Sequence, residues 1–92
     1  MSTHIPLPAR VGLKAAGPLK EAFLSATAPV TIDAKDVEML GAQGLQILIA
    51  GQQHIAQTGG QVTLSNPSEA FLSCLHHLGA TLSHITTSEI PL

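Results

Sequence analysis

Three carboxylates stand close together near the middle of the sequence. Asp33, Asp36 and Glu38 lie within six residues of one another, and carboxylates at such short spacing can share a metal ion or divide acid and base roles. The simpler interpretation is a solvated loop after a strand, because a turn Asp accepts hydrogen bonds from nearby backbone N–H groups. We expect that loop, with Asp33 bonded to adjacent amides.

The histidines lack the spacing of a metal site. They are His4, His54, His76, His77 and His84. No two lie four residues apart, and neighbouring positions on a helix point about 100° apart. The one cysteine, Cys74, falls on an apolar helical stripe, where a buried thiol that only packs is expected. We predict no metal, no cofactor and no catalytic residue. An enzyme or metal protein built on the histidines is the least favoured alternative.

The stretch MLGAQGLQIL, residues 39–48, carries two glycines three apart. A dinucleotide fingerprint needs a third glycine, and a P-loop needs Gly-Lys-Ser/Thr. A nucleophile elbow needs a serine, yet no Ser, Thr or Cys occurs from Ile32 to Gln57. Gly41 and Gly44 are therefore expected to turn the chain from a sheet into a helix, with Gly44 admitting a partner's backbone. The interpretation that remains is a docking surface at a helix N-terminus, where free amides suit an acidic or polar group.

The composition excludes several classes of protein. The chain has 92 residues, 45% hydrophobic and 11% charged, which indicates one folded domain over residues 1–92 rather than disorder. A net charge of −2 and two phenylalanines as the only aromatic residues offer nucleic acid neither a positive field nor stacking platforms. No apolar run approaches the roughly 20 residues that span a bilayer, and no secretory signal is recognisable. A lone cysteine fits a reducing compartment, so the expectation is a soluble cytoplasmic domain.

Periodicity and breaker residues divide the chain into alternating strands and helices. Helices are predicted over about residues 18–28, 42–58 and 67–78, each bounded by Gly or Pro. In the third, Asn66 is expected to cap the helix, Pro67 to take its first position and Glu69 to reach back in a capping box. Strands are predicted at 29–33 and 61–64, with weaker ones at 4–7, 11–13 and 83–86 and a tail at 87–92. Prolines confine the first weak strand to a sheet edge. This alternation indicates an α/β fold with a mostly parallel sheet of four or five strands.

The second predicted helix has two unlike faces. The face expected to pack on the sheet consists of Leu45, Leu48, Ile49, Gln52 and Ala56. The other face collects Gln43, Ile47, Gly51 and His54 and carries no Lys or Glu. A partner that approaches such a face desolvates few charges. The alternative, an exposed face that is merely weakly polar, has equal weight at this point.

The order of these elements resembles the STAS domain, the fold of bacterial anti-sigma-factor antagonists and of the cytoplasmic tails of sulfate transporters. The matching segments, between residues 30 and 80, are Thr31-Ile32-Asp33, Val37, Gly41-Ala42-Gln43-Gly44-Leu45, Gly59-Gly60, Val62-Thr63-Leu64, Asn66-Pro67 and Leu78-Gly79. The resemblance implies a single STAS-like domain whose C-terminal helix is short or absent. Dimerisation could compensate for the part of the sheet that this leaves uncovered.

Two departures from the family pattern concern regulation. Ala42 stands where the family has its phosphoacceptor hydroxyl, and Gly41 stands where it has the preceding Asp. Phosphorylation would place nearly two negative charges beside the docking surface. The resemblance therefore implies a binding module that cannot be switched off at this position.

The resemblance also implies a protein partner. This would be a histidine-kinase-like regulator such as an anti-sigma kinase. Leu40-Gly41-Ala42, followed by Leu45-Gln46-x-Leu48, also resembles short stand-alone STAS proteins linked to chemotaxis in some proteobacteria, which implies a chemotaxis kinase as the partner. An accessory subunit of a membrane lipid or anion transporter is the alternative. The residues expected to bind the partner are Val37, Leu40, Gly41, Ala42, Gln43, Gly44, Gln46 and Ile47.

Overall fold

A computed structural model describes residues 2–87 of the chain. The α/β fold and its three helices are confirmed. In chain order the elements are β1 (Thr3–Pro6), β2 (Arg10–Val11), α1 (Leu13–Leu24), β3 (Val30–Asp33), β4 (Met39–Leu40), α2 (Ala42–Gln57), β5 (Val62–Ser65), α3 (Glu69–His77) and a 3-10 helix (Leu82–His84).

The five strands form two parallel sheets. The larger has the order β1-β3-β5, with Ile5, Ile32 and Leu64 in register, and the smaller pairs β2 with β4. Strand β3 is paired on both sides and its apolar side chains are fully buried, as a central parallel strand requires. Strand β1 ends at Pro6 on the edge of the larger sheet, which confirms the expectation from its prolines.

Helix α1 begins earlier than predicted. It starts at Leu13, so Pro18 lies inside it rather than at its first position. Proline has no N–H for the carbonyl of Lys14, four residues earlier, but Lys14 is exposed and water can reach that end of the helix. The apolar spacing continues through the proline in Ala15, which is half-buried, and in Leu19 and Phe23, which are buried. Packing against the core therefore outweighs the local signal for a helix start at Pro18.

Helix α3 is capped differently from the prediction. Asn66 has φ of 48°, a left-handed turn conformation, and it leaves Pro67 outside the helix. The cap is Ser68, whose hydroxyl accepts a hydrogen bond from the N–H of Phe71 at 3.0 Å. Glu69 is the first helical residue, so the predicted capping box with Asn66 is wrong.

The last predicted strand, at 83–86, is also wrong. That segment forms the 3-10 helix Leu82–His84, and Ile85 is buried after it. Thr87 then bonds Val62 of β5, donating its N–H to the carbonyl at 2.9 Å and accepting the Val62 N–H on its hydroxyl at 2.7 Å. The expected tail beyond Thr87 lies outside the described residues.

Candidate functional site

The start of α2 is held by the small sheet. Gly41 follows β4 and donates its N–H to the carbonyl of Val11 in β2 at 2.9 Å, while its own carbonyl accepts the N–H of Leu45 at 2.9 Å. Its φ of −94° and ψ of 171° are extended values that any residue adopts. The tight turn therefore does not require glycine at position 41, contrary to the sequence-based expectation.

Gly44 faces the interior of the protein and packs against Val11. A Cβ at this position would collide with the carbonyl and side chain of Val11. The expectation that Gly44 admits a partner's backbone is wrong, because Val11 already occupies that space. Gly51 behaves in the same way, since a Cβ there would run into the ring of Phe23 in α1. Gly51 was expected on the exposed face of α2 but is buried against α1.

The loop between β3 and β4 is fixed by the cap of α3. Ser68 donates its hydroxyl to the carbonyl of Val37 at 2.6 Å and its N–H to the carbonyl of Ala34 at 3.2 Å. Val37 and Ala34 are both buried. Sequence reasoning missed Ser68, although its position directly before Glu69 is a recognisable capping signal.

The residues predicted to bind a partner divide by burial. Val37, Leu40 and Gly44 are buried. Gly41 and Ile47 are half-buried, and the remaining predicted residues are exposed: Ala42, Gln43 and Gln46. We call the set Ala42, Gln43, Gln46 and Ile47 the α2 entry surface.

The α2 entry surface borders an open cavity of about 370 Å³ that α1 completes with Leu13 and Ala16. Sequence reasoning missed both residues, because the helix was expected to begin only at Pro18. None of the residues that line this cavity carries a charge. Among residues 2–87, the side chains that line this cavity therefore include no acid, base or nucleophile.

A family model described as "Mlab, STAS domain" matches residues 2–84. The chain belongs to the STAS domain family. STAS domains are generally non-enzymatic modules that mediate protein–protein interactions. Comparison with curated proteins and comparison with solved structures each give no significant match. Among the described residues, no helix has both the length and the apolar character needed to cross a bilayer.

In this STAS domain, the positive N-terminal end of α2 is not neutralised by a capping or acidic side chain of the described residues. Within residues 2–87 no side chain caps the helix, and its first turn contains no acidic residue. The partial positive charge of the helix end therefore meets solvent beside the exposed Ala42. The side chain of Ala42 at this helix end is only a methyl group.

The carboxylates near this STAS site do not converge. Asp33 is 7% exposed, so it does not lie in a solvated loop as predicted. The prediction that it bonds a nearby amide is confirmed, since it accepts the N–H of Lys35 at 3.0 Å, and its other oxygen lies 3.4 Å from His4 Nε2. Asp36 and Glu38 are exposed. Over residues 2–87, no three His, Cys, Asp or Glu side chains are grouped to hold a metal ion.

Proposed function

We propose that this STAS domain is a non-enzymatic, cytoplasmic docking module that binds a regulatory histidine kinase through the α2 entry surface. The kinase is of the chemotaxis class or an anti-sigma kinase. The observation that carries the proposal is the exposed, uncharged start of α2, whose N-terminal amides have no side-chain cap within residues 2–87. Such a surface can be covered by a partner at low desolvation cost.

Regulation is proposed to differ from the family's phosphorylation switch. Ala42 has no oxygen to accept a phosphoryl group, and no Ser, Thr or Cys occurs from Ile32 to Gln57. The module is therefore always in its binding-competent form at this site. Incubation with the kinase and ATP should leave residues 39–48 without a phosphoryl group by mass spectrometry, and a modified peptide there would contradict the proposal.

The proposed binding surface is tested with two variants, each of which adds one positive charge at one end of α2. Gln43→Lys puts an ammonium on the α2 entry surface, where it also opposes the positive helix end. Gln57→Lys makes the same chemical change at the other end of the helix, on an equally exposed residue. We expect Gln43→Lys to abolish co-purification with the purified kinase and Gln57→Lys to leave it intact, with both variants folded by thermal unfolding. Undiminished binding by Gln43→Lys would refute the assigned surface.

A second candidate function is an accessory subunit of a membrane lipid or anion transporter. The observation that favours it is the match to the STAS domain family, because the cytoplasmic tails of sulfate transporters share this fold. Affinity purification of the intact protein from its native cells, followed by mass spectrometry of the bound proteins, separates the two. Recovery of a histidine kinase supports the signalling function, and recovery of a transporter ATPase or permease supports the accessory function.

A further inference from the structure

Two exposed leucines mark the outer side of α1. Leu13, the first residue of the helix, is 75% exposed, and Leu24, the last, is 57% exposed. Ala16 and Lys20 lie between them at steps of three and four residues, so the four side chains form one stripe. The stripe spans eleven residue steps, or about 16 Å along the helix axis. The STAS motif residues do not account for it.

The facing side of α2 supplies the other wall of a groove. Gln43, Ile47, Ala50 and His54 follow each other at steps of four, three and four residues along that helix. The cavity of about 370 Å³ beside the α2 entry surface and a second cavity of about 270 Å³ further along both border on Ile47. Both cavities lie between α1 and α2 and share Ile47 as a lining residue, and we call the two together the α1–α2 groove. Gly51 and Phe23, which approach each other closely, line the second cavity.

We propose that this α1–α2 groove holds an amphipathic helix of the partner kinase, with a carboxylate side chain of that helix opposite Lys20. The inference deepens the proposed function and rests on it. A groove of this shape between two helices, with apolar side chains at both ends, fits a helix that inserts residues at three- and four-residue spacing. Among residues 2–87, the ionisable side chains that line it are Lys20 and His54, and no carboxylate lines it.

The same charge pattern argues against a second copy of this chain as the occupant. In a symmetric dimer the same patch faces itself. Lys20 lies near the middle of the stripe between Leu13 and Leu24, so a two-fold axis through the groove would bring Lys20 close to Lys20 of the other copy. Like charges placed together in this way oppose association. A partner helix with an acidic residue instead neutralises Lys20.

The test measures the affinity of the full chain for the purified kinase by calorimetry. Leu24→Gln removes an apolar end of the groove, and Leu72→Gln makes the same change on α3, where Leu72 is 39% exposed and outside the groove. We expect Leu24→Gln to raise the Kd about tenfold, the loss typical of a buried interface anchor. Leu72→Gln should change the Kd less than twofold, and thermal unfolding should show that both variants fold.

The charge of the partner helix is tested with Lys20→Glu. We expect this reversal to raise the Kd about tenfold at 0.1 M salt and by a smaller factor at 1 M salt, because the Debye length falls from about 10 Å to about 3 Å. A photo-crosslinker at position 24 should capture a kinase peptide that contains Asp or Glu at helical spacing with apolar residues.

Three results would overturn the proposal. The first is that Leu24→Gln and Lys20→Glu both bind the kinase with native affinity, while Gln43→Lys still does not bind it. That result would overturn the groove as the site of a partner helix but leave the proposed function standing. The second is a crosslink from position 24 to another copy of this chain, which would make the groove a dimer interface. The third is no binding of the kinase by the native chain, which would overturn the proposed function together with this inference.

Discussion

Gly44 should be the residue at which a single added methyl group disturbs the start of α2 most. The Cβ of Gly44→Ala would lie 2.7 Å from the carbonyl carbon of Val11 and 2.8 Å from Val11 Cγ1, where ordinary contacts are at least 3.4 Å. Val11 is fully buried, is paired with Leu40 and accepts the N–H of Gly41. Strand β2 cannot yield without losing these interactions, so the first turn of α2 must move away from it.

The size of the effect follows from two opposing terms. Alanine is favoured over glycine inside a helix by about 0.8–1.0 kcal/mol. Forcing an extra carbon into a packed core costs about 1–3 kcal/mol, and the upper part of that range applies because the obstructing atoms belong to the backbone. The net loss in the free energy of unfolding is about 2 kcal/mol. For a domain of this length, that lowers the thermal midpoint by about 8–16 °C.

Thermal and urea unfolding of the native chain and two glycine variants measure this directly. Gly17→Ala is the control, because a Cβ there has no neighbour within 4 Å. Its gain in helix propensity is offset in part by the restriction that Pro18 places on the preceding residue, so its midpoint should be unchanged or slightly higher. If Gly44→Ala proves as stable as the native chain, the close approach of α2 to β2 does not require glycine and the reasoning fails.

Three further substitutions probe the support of the site and its electrostatics. Ser68→Ala removes both the cap of α3 and the bond to Val37, so urea unfolding should show a loss of about 1–2 kcal/mol; an unchanged midpoint would contradict the double role of Ser68. Gly41→Ser adds a cap to α2 in a backbone that is already extended, and stability should rise by a few tenths of a kcal/mol. Ala42→Glu should leave stability unchanged or raised by about 0.3–1 kcal/mol, yet calorimetry should show that kinase binding is lost. Binding at native affinity would place the docking site elsewhere.

Most helices and strands were predictable because their signals are local. Strands β3 and β5 and helix α2 follow from β-branched runs, helical spacing and the Gly59-Gly60 stop, and the structure confirms them. The start of α1 and the strand β4 were not predictable in this way. Pro18 looks like a helix start until Ala15 and Leu19 are known to share a stripe that packs at the core. The two residues Met39 and Leu40 become a strand only because Arg10 and Val11 pair with them.

In the candidate site too, features that depend on neighbouring residues in the sequence were predictable, and features that depend on contacts with distant residues were not. The lack of a hydroxyl at position 42 and the absence of catalytic spacing are properties of the sequence itself. The roles of Gly44 and Gly51 depend on Val11 and Phe23, which lie more than 25 residues away in the chain. Periodicity therefore gave the second helix but placed Gly51 on the wrong face.

Some of the residues that carry the STAS resemblance are buried in the protein and are not exposed for contact with a partner. Val37 and Gly44 are buried: Val37 accepts a hydrogen bond from Ser68 at the start of α3, and Gly44 lets the first turn of α2 approach Val11 closely. The side chains that a partner can reach are Ala42, Gln43 and Gln46, together with the stripe on α1. A family resemblance therefore identifies the scaffold more firmly than the partner. Partner choice should depend on these exposed residues, so the binding experiments change Ala42, Gln43, Leu24 and Lys20, whereas the changes at Gly44 and Ser68 measure stability.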